Sequence, residues 1–492
     1  MTLSPEKLQD DLVKRCENYL PKTQIDLIKK ALVFSRNAHE GQKRISGDPY
    51  IVHPIKTALK LAELKLDHET IVAALLHDTL EDTLATAQEI RRNFGLRILS
   101  LVESVTKLSN IRIKKSWFPL TRAQIKQIPE YERQLETLRK MLIAMSSDIR
   151  VILIKLADKI HNMETLSYLP KEKRERIAEE VVEIYAPIAQ RLGMGTWKGV
   201  LEDLAFPYIF PAQYSALQKL AVPKILVREK YLRRVSVKLN KILKTENINA
   251  TVDFRAKRWY SLYLKLIKYD NDITKVYDLI AMRIVVDTIE HCYQVLGIIH
   301  SRWKPLPGRI KDYIALPKAN GYQSLHTSVF CEDGQIVEFQ IRTQMMNDRA
   351  KYGIASHWVY STDKVARYPK KDEYKWITDF YQMQKSIESA EDLSQLFKMD
   401  LFENRIFVLT PQGDVKDLPR GATPIDFAYS VHSALGNRCA GALVNGKIAR
   451  VDSELKNGDI VEIIKRSNAK PHADWLKIAK TAQARNQIRK AL

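Results

Sequence analysis

Four of the 11 histidines, His39, His53, His68 and His77, fall within the first eighty residues, and His77 is followed by Asp78 in the segment AALLHDTLEDT. Glu81 comes four residues after His77, which on a helix places both on one face with Asp82 beside them. A second apolar run, ILIKLADKIHNM, is interrupted by Asp158 and by His161 and Asn162. An isolated His-Asp pair arises by chance about half the time in a chain of this composition, but an apolar helix rarely spends four polar groups without a reason. Imidazole and carboxylate without thiolate suit a divalent ion such as Mn, Fe, Ni or Zn, with positions left open for water and substrate. Such an ion acidifies water and polarises a phosphoryl oxygen, the chemistry of phosphate-ester hydrolysis, and Glu81 and Asp82 could orient or deprotonate the water. Lys43 and Arg44 precede the turn Gly47-Asp48-Pro49-Tyr50, where they could meet a nucleotide's phosphates or stack on its base; the alternative for them is a solvated surface pair.

A second set of residues is basic. Between Pro223 and Lys268 there are 13 Lys and Arg against 3 Asp and Glu, nearly half of the net charge of +21 in a tenth of the chain. Arg228 to Lys244 reads as a solvated helix face. The part around FRAKRWYSLYLK differs, because Arg255, Lys257 and Arg258 stand beside aromatics at a strand-to-helix junction, where helix-start amides add to an anion site. Asp278 opens the apolar strand in VYDLIAMRIVVD, and Glu338 and Gln340 share one face of IVEFQIRT. Carboxylates on two adjacent strands could carry Mg with substrate phosphates completing its shell, although edge-strand charges look the same in isolation. Between them runs GRIKDYIALPKANGYQSLHTSV, with Arg309, Lys311 and Lys318 for phosphates, Gly321 for close approach, and Tyr313 or Tyr322 as a platform for a base.

The set KRISGDPYIVHP, AALLHDTLEDT and IKLADKIHNMETL resembles the hydrolase domain of RelA/SpoT homologues, the stringent-response enzymes that make and degrade guanosine tetra- and pentaphosphate. The resemblance implies that His53, His77, Asp78 and Asp158 hold Mn²⁺, that Glu81 and Asp82 serve the attacking water, and that Lys43, Arg44 and Asn162 face the nucleotide. The basic segments are similar to the synthetase domain of the same family, which transfers pyrophosphate from ATP to the 3′ hydroxyl of GDP or GTP. Carried over, Arg255, Lys257 and Ser261 would face ATP, and Asp278 with Glu338 would bind Mg²⁺. Glu338 would also be the base for the 3′ hydroxyl, where a carboxylate within hydrogen-bond reach is needed. Lys318, Asn320 and Tyr322 would lie along the acceptor guanosine, Tyr322 by stacking, with His326 near the phosphates, and Arg309, Lys311 and Gln340 are further nucleotide-binding candidates. Arg309-Ile310-Lys311-Asp312 looks like the pattern of the family's bifunctional members. One segment departs: where the family reads G-R-P-K-H, this chain has Phe254, Ala256 and Arg258 around Arg255 and Lys257, which alters the local backbone. NRIFVLTPQGDVKDLPRGATPIDFAYSVHSALGNRCAGALVNGKI resembles the TGS domain that follows, with Tyr429 and His432 on its helix and His432 a candidate RNA contact. The distal regulatory regions of long family members are expected to be missing here.

Elements able to position these residues are legible in the patterning. Four hundred and ninety-two residues exceed one ordinary domain, and 45% hydrophobic with 28% charged residues, 17 Gly and 19 Pro excludes a largely disordered or low-complexity chain. The four cysteines form no C-x-x-C pair, and no apolar run reaches membrane-spanning length, so a soluble, cytoplasmic protein without a disulfide framework is expected. The fold class is multidomain: an all-α HD-type hydrolase domain over 1–195, a helical coupling segment over 196–246, an α+β, nucleotidyltransferase-like synthetase domain over 247–362, a helical connector over 363–402, a β-grasp TGS domain over 403–466, and the start of a helical region over 467–492.

The expected function is bifunctional: synthesis of (p)ppGpp from ATP and GDP or GTP, and Mn-dependent removal of its 3′ pyrophosphate. Opposed reactions in one chain would waste ATP if simultaneous, so reciprocal control through residues 192–246 is expected. The alternatives are a hydrolase whose second site senses nucleotides, and a non-enzymatic RNA- or ribosome-binding regulator; uncharged tRNA or the ribosome would be the partner of the TGS domain, and no membrane is expected.

Overall fold

The structure is a computed structural model describing residues 4–109, 139–141, 143–318, 320–356, 358, 405–466 and 468–492. The expected connector over 363–402 lies outside the described residues. The chain divides into two compact units; one holds residues 1–109 and 150–369, the other 110–149 and 370–492.

The described start of the first unit is mostly helical, interrupted by turns such as 39–51, where Lys43 and Pro49 form an isolated bridge. Ser4 caps the opening helix Pro5–Glu17, and Asp67 caps His68–Leu76 by accepting from the Thr70 amide. Apolar residues at helical spacing then bury completely: Ile71 to Leu76 and Val151 to Ala157 line a shared core with Ile55, Ala58 and Leu61. The helices Val52–Glu63, His68–Leu76 and Arg150–Glu164 pack on one another and carry the first candidate site. One expectation needs correcting. His77 and Asp78 are not mid-helix, because His68–Leu76 ends there and a new turn begins at Thr79–Asp82. The break frees both side chains to turn the same way, and Glu81 is not one helical face removed from His77.

The helix Gly195–Ile209 joins the two halves of this unit, packing against Arg150–Glu164 and Lys171–Glu180 on one side and against Trp259–Lys268 and Gln344–Tyr352 on the other. At its start the Ile354 amide donates to the Leu192 carbonyl at 2.9 Å. Gly193 and Gly353 there have φ of +73° and +56°, and a Cβ on Gly353 would stand 2.1 Å from the Leu192 carbonyl oxygen. The following helix, Pro211–Thr245, is partly a solvated face as expected, since Lys230, Arg233, Arg234 and Lys238 are exposed. Arg228 is the exception: it turns inward and donates to the Tyr277 and Ile336 carbonyls, anchoring the helix to the sheet.

That sheet runs β1 (Ala250–Ala256), β2 (Ile280–Val286), β6 (Ile336–Thr343), β5 (Leu325–Phe330) and β3 (Lys304–Pro305), with β4 (Lys311–Asp312) pairing β5. Only β2 and β6 are parallel. The pleat separates two faces. Met282, Ile284, Val337, Phe339 and Ile341 point into a core shared with Leu232, Leu239, Val295 and Ile299. On the other face the register brings Asp253, Arg283, Gln340, His326 and Lys311 into one transverse row, each opposite the next across five strands.

The described second unit consists mainly of residues 405–492. Strands β7 (Arg405–Leu409) and β8 (Val415–Pro419) pair, β9 (Cys439–Val444) lies between β10 (Lys447–Ala449) and β11 (Val461–Lys465), and the helix Pro424–Val431 begins with a Thr423/Asp426 capping box. The segment expected as one helix splits at His432, and Ser433–Asn437 forms a second. The basic terminal segment is also not one helix: Trp475–Ile478 and Ala482–Ala491 are separate. They are docked rather than starting a new region. Trp475, Ala479, Ala484 and Ile488 complete the small core, and the Asp426 carboxylate accepts from the amides of Lys480 and Thr481.

Candidate functional sites: a buried donor cluster and a cationic pocket

His53, His77 and Asp158 are 2%, 2% and 3% exposed and could hold a metal ion. His53 Nε2 is 3.3 Å from His77 Nε2 and 3.3 Å from Asp158 Oδ1; Asp78 reaches both rings, at 3.1 Å from His77 Nε2 and 3.4 Å from His53 Nε2. Ligand atoms at right angles about 2.1 Å from a shared centre would stand about 3 Å apart, so the donor set fits one divalent ion. Each donor is held from behind. His77 Nδ1 contacts the Ala74 carbonyl at 2.8 Å, and the second oxygen of Asp158 takes the buried Lys155 ammonium at 2.7 Å. Burial pulls the Asp158 pKa upward, but Lys155 and His53 outweigh it and hold the carboxyl well below the usual range.

Arg44 and Asn162 lie directly against this cluster. Arg44 donates to Asn162 Oδ1 at 2.8 Å and to His161 Nδ1 at 3.1 Å, and Asn162 donates to Asp158 Oδ1 at 2.5 Å. Lys43 is exposed on the same turn. The Tyr50 hydroxyl bridges Asp78 Oδ2 at 2.9 Å and Asp82 Oδ2 at 2.8 Å, with its ring stacked on His39. Desolvation, then Asp82 and Asp78, raise the Glu81 pKa. Glu81 and Asp82 therefore stand beside the cluster under different constraints, Asp82 tethered by Tyr50 and Glu81 tuned toward proton uptake. Tyr50 and Lys155 were not singled out as site residues from the sequence, and His161 was noted beside Asp158 and Asn162 without a role. Lys155 was findable: Lys155, Asp158, His161 and Asn162 follow the i, i+3, i+4 spacing of one helix face.

The polar face of the six-stranded sheet floors a cavity of about 390 Å³. Of the residues expected to handle nucleotides there, Arg255, Lys257, Ser261, Asp278, Arg309, Lys311, Lys318, Tyr322, His326, Glu338 and Gln340 all line it. The altered segment keeps its cations at the wall: β1 runs through Ala256, and Arg258 lies flat along Gly199 and toward Asp203 of the Gly195–Ile209 helix. Asp203 also caps the Trp259–Lys268 helix by accepting from the Tyr260 amide at 3.0 Å. Asn320 is turned away, its amide donating to the Gln190 carbonyl. Gly321 has a φ of +73°, and a Cβ there would meet the Arg349 guanidinium at 3.0 Å.

Lys318 Nζ sits between the Tyr313 and Tyr322 rings, 4.6 and 5.2 Å from their centroids, and Tyr322 hydrogen-bonds His326 at 2.8 Å. Burial, then Arg342 and Lys318, push His326 down to about 3, so it is a neutral partner and not a phosphate-binding cation. Asp278 precedes β2 and has each oxygen taken by a lysine, Lys257 and Lys265, both at 2.6 Å. Glu338 accepts from Gln340 at 3.0 Å. These two carboxylates make no ion cage by themselves. A second basic cavity of about 380 Å³ shares Arg255, Lys257 and Arg258 with the first and adds Arg283, Arg342 and Lys351. Arg283 and Arg342 were hidden from the sequence reading inside strands that look like pure core.

In the second unit Tyr429 is buried and bonded to Asn437, while His432 is exposed and its Nδ1 accepts from the Ala434 amide as a helix cap. Among the described residues no helix is long and apolar enough to cross a membrane.

Residues 31–195 match the HD domain, 254–365 the region found in RelA / SpoT proteins, and 406–465 the TGS domain. The chain is 45% identical over 471 residues to a GTP pyrophosphokinase of Myxococcus xanthus, covering 96% of this chain and 61% of that protein. It is 43% identical over 491 residues to a guanosine-3′,5′-bis(diphosphate) 3′-pyrophosphohydrolase of Aquifex aeolicus, covering 100% of this chain and 68% of the relative. To the bifunctional (p)ppGpp synthase/hydrolase SpoT of Escherichia coli it is 41% identical over 486 residues, 99% of this chain and 67% of that one. It thus spans 61 to 68% of the length of these curated relatives. With identity sustained along nearly its whole length and the three domains in order, this chain belongs to the RelA/SpoT family.

Proposed function

We propose that the protein is a two-site alarmone enzyme that makes (p)ppGpp from ATP and GDP or GTP and removes the 3′ pyrophosphate of (p)ppGpp. The observation that carries the reading is the presence, in one compact unit, of a cluster of three buried donors with the partly exposed Asp78 beside them, and a cationic pocket floored by Glu338. Relatives named for each of the two reactions support it. The domain limits given above are part of this proposal.

In hydrolysis His53, His77, Asp78 and Asp158 would hold the ion, Mn²⁺ in this reading. The ion supplies Lewis acidity that makes water nucleophilic near neutral pH and a phosphoryl group easier to attack. Glu81 takes the water's proton, for which its raised pKa suits it, and Asp82 orients the water while Tyr50 holds it in place. Lys43 meets the substrate's phosphates, with Arg44 and Asn162 at the edge nearest the nucleotide.

In synthesis ATP enters with Mg²⁺ as its counter-ion. Arg255, Lys257 and Ser261 take its phosphates, and the two cavities sharing this wall give room for a donor and an acceptor nucleotide side by side. Tyr322 stacks on guanine, Lys318, Lys311 and Arg309 neutralise the acceptor's phosphates, and Asn320 swings in to complete that side. Gln340 and His326 orient Glu338, which accepts the 3′ hydroxyl proton as that oxygen attacks the β-phosphorus of ATP and AMP leaves. Asp278 fixes Lys257 and, with Glu338, would hold the Mg²⁺ that offsets the charge of the phosphates. Such substrates place the enzyme in the cytoplasm. For the TGS domain the proposed partner is RNA, as uncharged tRNA or on the ribosome, met through the free Nε2 side of His432.

Two assays on the purified protein test this: AMP release from ATP with GDP or GTP, and pyrophosphate release from ppGpp with Mn²⁺. Asp78→Ala should abolish only the second and Glu338→Gln only the first. Hydrolysis without any AMP release by the wild type would overturn the synthetase half and leave a hydrolase with a nucleotide-sensing second site. Loss of neither reaction in the variants would overturn the site assignments.

A further inference from the structure

We propose that His161 is a positioning residue for the metal centre: it sets the tautomer of His53, and Arg44 sets His161 in turn. This rests on reading the buried cluster as a divalent-ion site. A guanidinium only donates hydrogen bonds, so the Arg44 Nη1 contact of 3.1 Å makes His161 Nδ1 an acceptor. His53 Nδ1 stands 2.7 Å from that same nitrogen. Of the two ring nitrogens facing each other, only one can carry the proton, and it must be His53 Nδ1. The neutral His53 ring then presents its lone pair at Nε2, the atom that faces His77, Asp78 and Asp158 at 3.3 to 3.4 Å. A proton on Nε2 would close that position to any cation.

His77 reaches the same state more simply, through Nδ1 and the Ala74 carbonyl one turn back on its own helix. His53 opens its helix as the second residue, at the end where a helix offers no carbonyls, so its anchor comes from the Arg150–Glu164 helix instead. His161 is 5% exposed and His53 2%, so the inter-ring contact is shielded from water. The second arm of Arg44 holds the Asn162 amide with its nitrogen toward Asp158 Oδ1. One guanidinium fork thereby orients the supports of two ligands contributed by different helices.

The test is titration of metal-free full-length protein with Mn²⁺, followed by the EPR signal of the free ion. An asparagine at 161 places a carbonyl oxygen near where Nδ1 was, a glutamine places it near Nε2, and a leucine supplies no acceptor. His161→Asn should bind Mn²⁺ within about threefold of wild type, while His161→Gln and His161→Leu should bind about 10- to 100-fold more weakly. Equal affinities for the Asn and Gln variants, both polar and similar in bulk, would overturn the proposal. So would wild-type affinity in the Leu variant. A wild type that takes up no divalent ion would instead sink the metal reading itself, an outcome distinct from either.

Discussion

Around His53 each candidate metal ligand is held by a partner within the protein, whereas around Glu338 seven Lys and Arg side chains face two carboxylates. In the first site Lys155 offsets Asp158, and the imidazoles are held by the Ala74 carbonyl and by His161. In the second, cations crowd one another: Lys318 has its pKa lowered by burial and then by Lys311, and the 1% exposed Arg342 keeps its Nε without a hydrogen-bond partner. The difference separates two ways of meeting phosphate. One site has its donors held by their own neighbours, so its geometry is a property of the folded chain. The other concentrates like charges, a repulsion that the polyphosphates of the proposed reaction would relieve.

The comparison breaks most visibly on the stability of single variants. Asp158→Ala removes the carboxylate that lies 2.7 Å from the buried Lys155 ammonium and should cost about 3–5 kcal/mol in a denaturant melt. Lys257→Ala removes one of many like charges and leaves Asp278 still held by Lys265, so it should cost less than about 1 kcal/mol. Its effect belongs to chemistry instead, a fall of about 100-fold in AMP release with hydrolysis unchanged. If the two variants melt alike, the contrast between the sites is wrong. A saturating non-reactive ATP analogue should raise the melting temperature, and high salt should weaken its binding much more than that of Mn²⁺; equal salt dependence would remove the distinction between a stored-charge pocket and a closed cluster.

A smaller effect comes from pH. His326 is held near 3 in the folded protein against about 6.5 when unfolded, so the unfolded chain binds the extra proton. Stability from this group is complete above pH 6.5 and is lost as pH falls, by roughly 2 kcal/mol between pH 7.5 and 5. An imidazole signal from His326 that titrated near 6.5 in the native protein would show that the pocket tolerates a further charge.

Much of this was legible in the sequence because it depends on local pattern. The strands carrying Asp253, Arg283, His326 and Glu338 follow from β-branched alternation, and the helix bearing Asp158 follows from apolar spacing. What was not legible depends on partners far along the chain. The break at His77 is set by two side chains turning toward His53 and Asp158, where the local sequence would continue a helix. Nothing in KRISGDPY indicates that the Arg44 guanidinium will find His161, 117 residues away. Arg228 read as solvated because its helix is basic throughout, yet carbonyls at 277 and 336 draw it inward. The terminal segment read as free helix because Asp426, which stops and docks it, belongs to an element more than fifty residues earlier.

The meeting of Gly193 with Gly353 has a mechanical meaning. Side chains in a core can absorb a displacement by changing rotamer, but two peptide backbones in van der Waals contact have no such slack. The 190–194 turn touches Gly353 directly, and through Gln190 and Gly193 it also touches Asn320 of the acceptor loop. A shift of this turn would therefore press directly on Gly353 and Asn320, with no side chain between them to absorb it, as motion passes between meshed gear teeth. A methyl group on either glycine would act as a wedge in that gear, holding the two halves apart at a fixed spacing whichever nucleotide was bound.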